Sequence, residues 1–326
     1  MKRVLILATG GTIAGSAKDA TSSQYTAGKM GVDELIKSVS GLEKLAKISF
    51  EQISNIGSQD MDVATLGEIK RRIYKAHESG EFDGVVVLHG TDTMEESAFY
   101  LTLSLDISTP VILTGAMRNS SSLSSDGALN IYDAVGVAIS EQAKNSGVLV
   151  VLNSQIHAAS YVTKLDCANV AAFDSPNLGQ IGVVNYGDAK FYTKPAVPNR
   201  GKFKSADKVE KVGIITAGVD LLDGLGEEMV RFMLSSGVRG IVLEGVGNGN
   251  ASAKLLQELE KAALSGVVIV RASRCVKGEV REQAEIVNDK FIASYGLNPA
   301  KSRLLLALGL GAGFDFNEIK ALFSQY

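Results

Sequence analysis

Short apolar runs that end at a glycine or a cluster of small polar residues recur along the chain. Val4-Leu5-Ile6-Leu7-Ala8 gives way to Thr9-Gly10-Gly11-Thr12, and Val85-Val86-Val87-Leu88 gives way to His89-Gly90-Thr91-Asp92-Thr93. Runs of this length, rich in branched side chains and lacking polar alternation, predict strands buried on both faces. Pro110–Thr114, Gly147–Asn153, Val212–Thr216, Gly240–Glu244 and Gly266–Arg271 have the same character. Helical spacing intervenes. Leu255, Leu256, Leu259, Ala262 and Ala263 fall on one face, with Glu258, Glu260 and Lys261 outside it. Asn298-Pro299 supplies a cap and a first-turn proline for a further helix, and Phe316, Ile319, Leu322 and Phe323 line a closing one. Strands alternating with helices predict an α/β fold built on an open, mostly parallel sheet.

The rhythm breaks between Tyr192 and Val209, where Pro195, Pro198, Gly201 and a run of lysines and arginines intervene. The expected organisation is a larger N-terminal α/β domain over residues 1–191, a linker over 192–211 and a smaller C-terminal α/β domain over 212–326. The loop from Gly15 to Gly31 is small and polar, with Tyr25 its one aromatic residue. It reads either as a surface excursion or as a lid over the Thr12 strand end, and the aromatic favours the lid.

Composition narrows the class. With 326 residues, 45% hydrophobic, 21% charged and a net charge of −3, the chain has an ordinary globular balance. Nothing in it favours nucleic acid or an anionic membrane surface as a partner. No apolar stretch approaches the ~20 residues of a membrane span. The run after Met1-Lys2-Arg3 is too short for a signal-peptide core. Cys167 and Cys275 are unpatterned, so free thiols in a cytoplasmic setting are expected.

In open α/β sheets ligands sit at the carboxyl ends of strands. Two threonines delivered there, one beside a carboxylate, point to a hydroxyl-nucleophile site. Gly10-Gly11-Thr12-Ile13-Ala14-Gly15 does not match a dinucleotide fingerprint, which needs glycine at position 12, nor a phosphate loop, which needs Lys-Ser/Thr. No cofactor and no metal are expected, because no spaced His/Cys/Asp/Glu cluster occurs. Asp92 or Thr93 could simply cap the helix that follows, but capping leaves the other flanking hydroxyl unexplained. A threonine needs a base. His77, His89 and His157 stand in no triad pattern, and His89 reads as packed; a lysine is the alternative base. Asn55-Ile56-Gly57-Ser58-Gln59-Asp60 and Gly245-Val246-Gly247-Asn248-Gly249-Asn250 are two further strand-end loops of the same kind.

Taken together, these segments resemble the bacterial-type L-asparaginase family, in particular its type II group. The resemblance rests on Ala8-Thr9-Gly10-Gly11-Thr12-Ile13-Ala14-Gly15, on His89-Gly90-Thr91-Asp92-Thr93-Met94-Glu95-Glu96 and on Gly57-Ser58-Gln59-Asp60-Met61. It extends through Gly115-Ala116-Met117-Arg118, Val162-Thr163-Lys164, Gly247-Asn248-Gly249-Asn250 and Asn298-Pro299, in order along the whole chain. It implies hydrolysis of L-asparagine to L-aspartate and ammonia, with slower action on glutamine. It further implies Thr12 as nucleophile of an acyl-enzyme with Tyr25 beside it, and Thr91, Lys164 and Asp92 as a hydroxyl–base–acid set. Ser58, Gln59 and Asp92 would hold the amino-acid head group. Asn250 and Glu285 would be supplied by a neighbouring subunit of a homotetramer.

Some positions depart from the pattern. Asn119 stands where proline is usual after Arg118, which is expected to alter the turn; residues 159–164 differ upstream of Lys164; and Val287-Asn288-Asp289 follows Glu285 where acidic residues are usual. The paired cysteines of periplasmic members have no counterpart. Asn250, in place of serine, leans towards asparagine over glutamine. The alternatives are a mixed glutaminase-asparaginase, the amidase subunit of an amidotransferase (which would carry an added N-terminal domain), and a non-catalytic amino-acid-binding protein on the same scaffold.

Overall fold

The computed structural model describes residues 1–15, 31–205, 208–219, 224–282 and 288–326. It divides into two compact units, Met1–Lys204 and Ser205–Tyr326. Tyr25 and Glu285, and with them the central part of the proposed lid, lie outside the described residues.

The strands of the first unit are β1 (Arg3–Gly10), β2 (Lys47–Ile56), β3 (Gly84–Leu88), β4 (Val111–Thr114), β5 (Val148–Leu152), β6 (Gln155–Ala158), β7 (Thr163–Lys164), β8 (Phe173–Asp174), β9 (Gly182–Asn185) and β10 (Asp188–Phe191). Its helices are α1 (Val32–Ser38), α2 (Leu42–Leu45), α3 (Val63–Ser79), α4 (Met94–Ser104) and α5 (Gly127–Ala138). Among the described residues the main sheet runs β10-β9-β6-β5-β4-β3-β1-β2. Strands β1 to β5 are mutually parallel, whereas β6, β9 and β10 extend the sheet antiparallel. The sheet is therefore mostly parallel, and its chain order reverses between β1 and β3. That reversal opens a crevice at the carboxyl ends of the two strands.

Burial explains why the apolar runs became these strands. Val85, Val86, Val87 and Leu88 of β3 and Val4, Ile6 and Leu7 of β1 are wholly inaccessible. Each such side chain contributes about 1.5–3 kcal/mol relative to exposure. On one face, Val4, Ile6, Ala8, Val86, Leu88 and Ile112 pack with Leu35 of α1, Leu42 of α2 and Ile131, Ala134, Val135 and Ala138 of α5. Helices α3 and α4 pack against each other and against β2 and β5. The antiparallel additions carry no long apolar run, being two to four residues each, and the hydrophobic pattern did not predict them. Within the stretch expected as a linker, Phe203 is buried and its N–H donates to Leu103 O, so residues 201–204 lie along the end of α4.

The second unit is a parallel sheet of β11 (Val212–Thr216), β12 (Gly240–Gly245), β13 (Val268–Ser273) and β14 (Phe291–Ala293), in that order. Helix α6 (Leu225–Ser235) packs on α7 (Ala253–Leu264), and the pair covers an apolar cluster that includes Ile215, Val230, Leu243, Leu259 and Ile269. Helix α8 (Pro299–Gly311) lies against β11, β12 and β13, and α9 (Phe316–Phe323) against β14. Asn298 Oδ1 accepts the N–H of Lys301 to cap α8, and Asp315 and Glu318 form a reciprocal capping box on α9. Glu258 differs from its expected solvent-facing position. It is largely buried between Lys261 (2.9 Å) and Arg231 (3.4 Å), and the Lys261 hydrogen bond, with Arg231 adding to it, keeps its carboxyl below the usual range.

Among the described residues no helix is long and apolar enough to cross a membrane, and no cluster of His, Cys, Asp and Glu could hold a metal. Cys167 and Cys275 are exposed free thiols.

Two histidines are buried in the first unit. His157 on β6 lies between Ser175 Oγ (3.0 Å) and Gln155 Oε1 (3.1 Å), and burial pushes its pKa down to about 4. Burial does the same to His89. A histidine whose folded pKa lies below its unfolded value binds its proton later than the unfolded chain does. Its stabilisation is complete above pH 6.5 and is lost as the pH falls towards 4. Asp133, whose pKa burial raises, works in the opposite sense. For His157→Gln, urea denaturation at pH 7 and pH 5 is expected to show an acid-induced loss of unfolding free energy about 2 kcal/mol smaller than in the parent protein. An unchanged difference would show that His157 is not held neutral.

Candidate functional site

Strand β1 ends in two glycines with positive φ, Gly10 at 105° and Gly11 at 79°. A side chain cannot be placed on either. A Cβ on Gly10 would stand 2.7 Å from the backbone N and O of Ile56, at the end of β2. One on Gly11 would stand 2.6 Å from Cα of Gly90, just past the end of β3. Gly90 is pressed in turn against Ser58, where its own Cβ would lie 2.7 Å from Oγ. Bare backbone lets three strand ends converge within contact distance. The next residue, Thr12, opens a single 3-10 turn and is nearly buried, while Ile13 anchors that turn in the core.

The loop after β3 is held from two sides. Ser58 Oγ accepts the N–H of Asp92 at 3.1 Å, and Thr93 Oγ1 donates to Ser58 O at 2.7 Å. Thr93 occupies the N-cap position of α4, yet its side chain makes no capping bond. The capping explanation of the Thr91-Asp92-Thr93 cluster therefore fails. Thr91 is buried.

Lys164 arrives from the β7–β8 ribbon, more than 70 residues away in sequence. Its Nζ donates to Thr91 Oγ1 at 2.9 Å and to Asp92 Oδ1 at 2.6 Å. The lysine side chain is 17% exposed, whereas that of Asp92 is 62% exposed, so the carboxylate remains open to a second cation. Gln59 is exposed, with its amide folded over Gly57. Ser58, Thr91, Asp92 and Lys164 are thus brought together, and Thr12 leaves β1 at the contact with Gly90. His89 is packed as expected, with Nδ1 2.6 Å from Gly90 O. It is neutral at ordinary pH.

The loop after β4 adds a support through Asp126 and Ser120, which the sequence did not single out. Asp126 accepts the N–H groups of Met117 (3.0 Å) and Arg118 (2.9 Å), and Ser120 Oγ donates to Gly15 O at 2.7 Å, tying this loop to the Thr12 turn. Asn119, which stands where proline was expected, is buried, and its Oδ1 accepts from Ser121 N at 3.1 Å. This side-chain turn orders the loop without a fixed φ.

The sequence profile described as "Asparaginase, N-terminal" matches residues 3–197, and that described as "Glutaminase/Asparaginase C-terminal domain" matches residues 212–323. The chain belongs to the asparaginase family. It is 39% identical to "L-asparaginase 2" of Escherichia coli, an alignment covering 100% of this chain and 94% of that protein. It is 40% identical to "Probable L-asparaginase periplasmic" of Haemophilus influenzae (100% and 93% covered) and 35% identical to "Glutaminase-asparaginase" of Pseudomonas fluorescens (100% and 91%). A solved structure, "Probable Cytoplasmic L-asparaginase from Campylobacter jejuni", matches with a TM-score of 0.93 at 36% identity over all of both chains.

Of the remaining expected site residues of this asparaginase-family chain, Asn250 closes the loop after β12 in the second unit. The contact between Gly11 and Gly90 is the feature most open to direct test. Gly11→Ala is expected to lower the unfolding free energy by about 2–4 kcal/mol, combining positive-φ strain with overpacking against Gly90. Denaturant titration measures this, and a loss under 1 kcal/mol would mean that the two loops can separate freely.

Proposed function

We propose that this chain hydrolyses the side-chain amide of L-asparagine to L-aspartate and ammonia, and that it does so through a threonine acyl-enzyme. The observation that carries the reading is the Thr91–Lys164–Asp92 cluster, with Nζ 2.9 Å from the hydroxyl and 2.6 Å from the carboxylate, set beside a strand end that presents Thr12. The family membership and the full-length identity to proteins named L-asparaginase support it.

In this mechanism Thr12 Oγ attacks the amide carbon and its proton passes to the departing nitrogen, so ammonia leaves and an aspartyl ester remains. Water then attacks the ester carbon. One of its protons returns to Thr12 Oγ as the C–O bond breaks and L-aspartate is released. Lys164 and Thr91 move protons and orient the water, a role that hydrogen-bonded lysine–hydroxyl pairs can fill. The family resemblance assigns Tyr25 to act with Thr12 in this step. The substrate ammonium pairs with the exposed side of Asp92, and the groups around Ser58 and Gln59 take the α-carboxylate. Asn250 and Glu285 complete the head-group site from a neighbouring subunit of a homotetramer. The reaction needs no metal or cofactor. A cytoplasmic location is part of the proposal, supported by the exposed free thiols and the Campylobacter neighbour, although the Haemophilus relative is named periplasmic.

A second reading, a mixed glutaminase-asparaginase, is favoured by the identity to the Pseudomonas protein of that name. Ammonia release from asparagine and glutamine at equal concentration separates the two. Asparagine is expected to be the faster substrate by at least tenfold, and comparable rates would favour the mixed enzyme. Thr12→Ala is expected to reduce turnover by at least 10³-fold while aspartate still binds, the scale lost when a nucleophile is removed. Near-normal turnover in that variant would exclude Thr12. Absence of ammonia release from both amides in the parent protein would leave a binding protein.

A further inference from the structure

Arg271, on β13, is 2% exposed, and among the described residues its guanidinium meets no carboxylate. Nη1 donates to Asn248 O at 2.9 Å, and Nη2 donates to Arg281 O at 2.8 Å. Burial lowers its pKa from the ordinary value. A buried cation held by main-chain carbonyls is an expensive way to fill space, and an apolar side chain of similar volume would avoid that cost. The planar fork offers something an apolar residue cannot: two donors at a fixed separation, gripping two backbone segments at once.

One of those segments is the loop that leaves β12. Val246 and Asn250 close it with reciprocal N–H···O bonds, both 2.8 Å, so Asn248 forms its tip and Asn250 its exit. From the exposed side Ser273 Oγ donates to Gly247 O at 2.6 Å, and Arg274 N donates to Gly245 O at 3.0 Å. Arg271 grips the same loop from the buried side. The other segment, at Arg281, is held in register by the mutual bonds of Val280 and Tyr295 (3.1 and 3.0 Å). Neither grip is to the unit's apolar cluster, which is built from other residues.

We propose that Arg271 is a positioning residue that fixes the β12 exit loop, and through it Asn250, for binding the amino-acid head group of the substrate. The inference rests on the asparaginase reading above. Because Asn250 is assigned to head-group binding and not to the acyl chemistry, loosening its loop weakens ground-state binding more than it slows turnover.

The test uses the full-length protein with Arg271→Lys and Arg271→Met. Lysine keeps the charge but can serve only one carbonyl at a time, and methionine removes both grips. Ammonia-release kinetics give kcat and KM for asparagine, isothermal titration gives the affinity for aspartate, and circular dichroism gives the folded fraction. Arg271→Lys is expected to raise KM and the aspartate Kd at least fivefold, with kcat per folded molecule within threefold of the parent. Arg271→Met is expected to raise both constants further. Should the methionine variant not fold, the lysine variant decides alone. A loss of activity that tracks the folded fraction with KM unchanged, or parental kinetics in the folded lysine variant, overturns the inference while leaving the asparaginase reading intact. A parent protein that releases no ammonia from asparagine overturns both.

Discussion

The backbone contact between Gly11 and Gly90 is the constraint on which the site depends. Strands β1 and β3 are neighbours at the point where the sheet order reverses, so their chains leave the sheet towards a common crevice. Neighbouring strands normally keep their side chains apart at about 4.8 Å spacing. Here the two exits press together with no room for a Cβ on either. The end of β2 is packed against Gly10 in the same way, and Ser58 against Gly90. Each contact draws together the strand exits that carry Thr12, Ser58 and Asp92. The wholly buried runs of β1 and β3 supply the stiffness that keeps these contacts from relaxing.

Lys164 joins this arrangement from a weakly built element. The β7–β8 ribbon has two residues in each strand. Such a ribbon has little stability of its own. What fixes it is neighbouring packing, in which buried Val162 precedes the lysine and buried Phe173 pairs directly with it across the ribbon. His157 contributes by holding Ser175, two residues beyond Phe173, in the interior. The neutral state of His157 suits this role, because an uncharged ring can meet a hydroxyl and an amide oxygen without a counter-ion. The amine then reaches Thr91 and Asp92 with most of its length already removed from water. Ordering its long side chain costs less when packing has already restricted the rotamers.

Much of this was legible in the sequence because the relevant signals are local. A continuous apolar run identifies a buried parallel strand, and β1, β3, β4, β5, β11, β12 and β13 lie within two residues of the runs that predict them; at β1, β3 and β4 the closing glycines also mark where the strand leaves the sheet. The caps of α8 and α9 depend on neighbouring side chains and were equally accessible. The β6, β9 and β10 additions were not, since strands of four residues take their register from partners distant in sequence. The burial of Glu258 escaped the helical pattern for a related reason: a carboxylate flanked by Arg231 and Lys261 can enter an interface that its own periodicity assigns to solvent. Thr12, Thr91 and Asp92 stood out by position, whereas Lys164 acquired a role only through family resemblance. Asp126, Asn119 and Arg271 act on main-chain groups, and no residue-type pattern marks that kind of contact.

The start of α4 shows how the fold balances local stability against the site. A threonine in the N-cap position ordinarily turns its hydroxyl onto the first free N–H groups, a bond whose loss costs about 1 kcal/mol. Thr93 gives that bond up and spends its hydroxyl on Ser58 O, while Ser58 Oγ accepts the N–H of Asp92. The exchange converts a helix-stabilising contact into a double link between the exits of β2 and β3. Glu95 and Glu96 in the first turn offset part of the lost cap through the helix dipole. Two loops from separate strands are thereby fixed as one surface. That surface, more than any single side chain, lets Asp92 hold Lys164 on one oxygen and stay open on its other side.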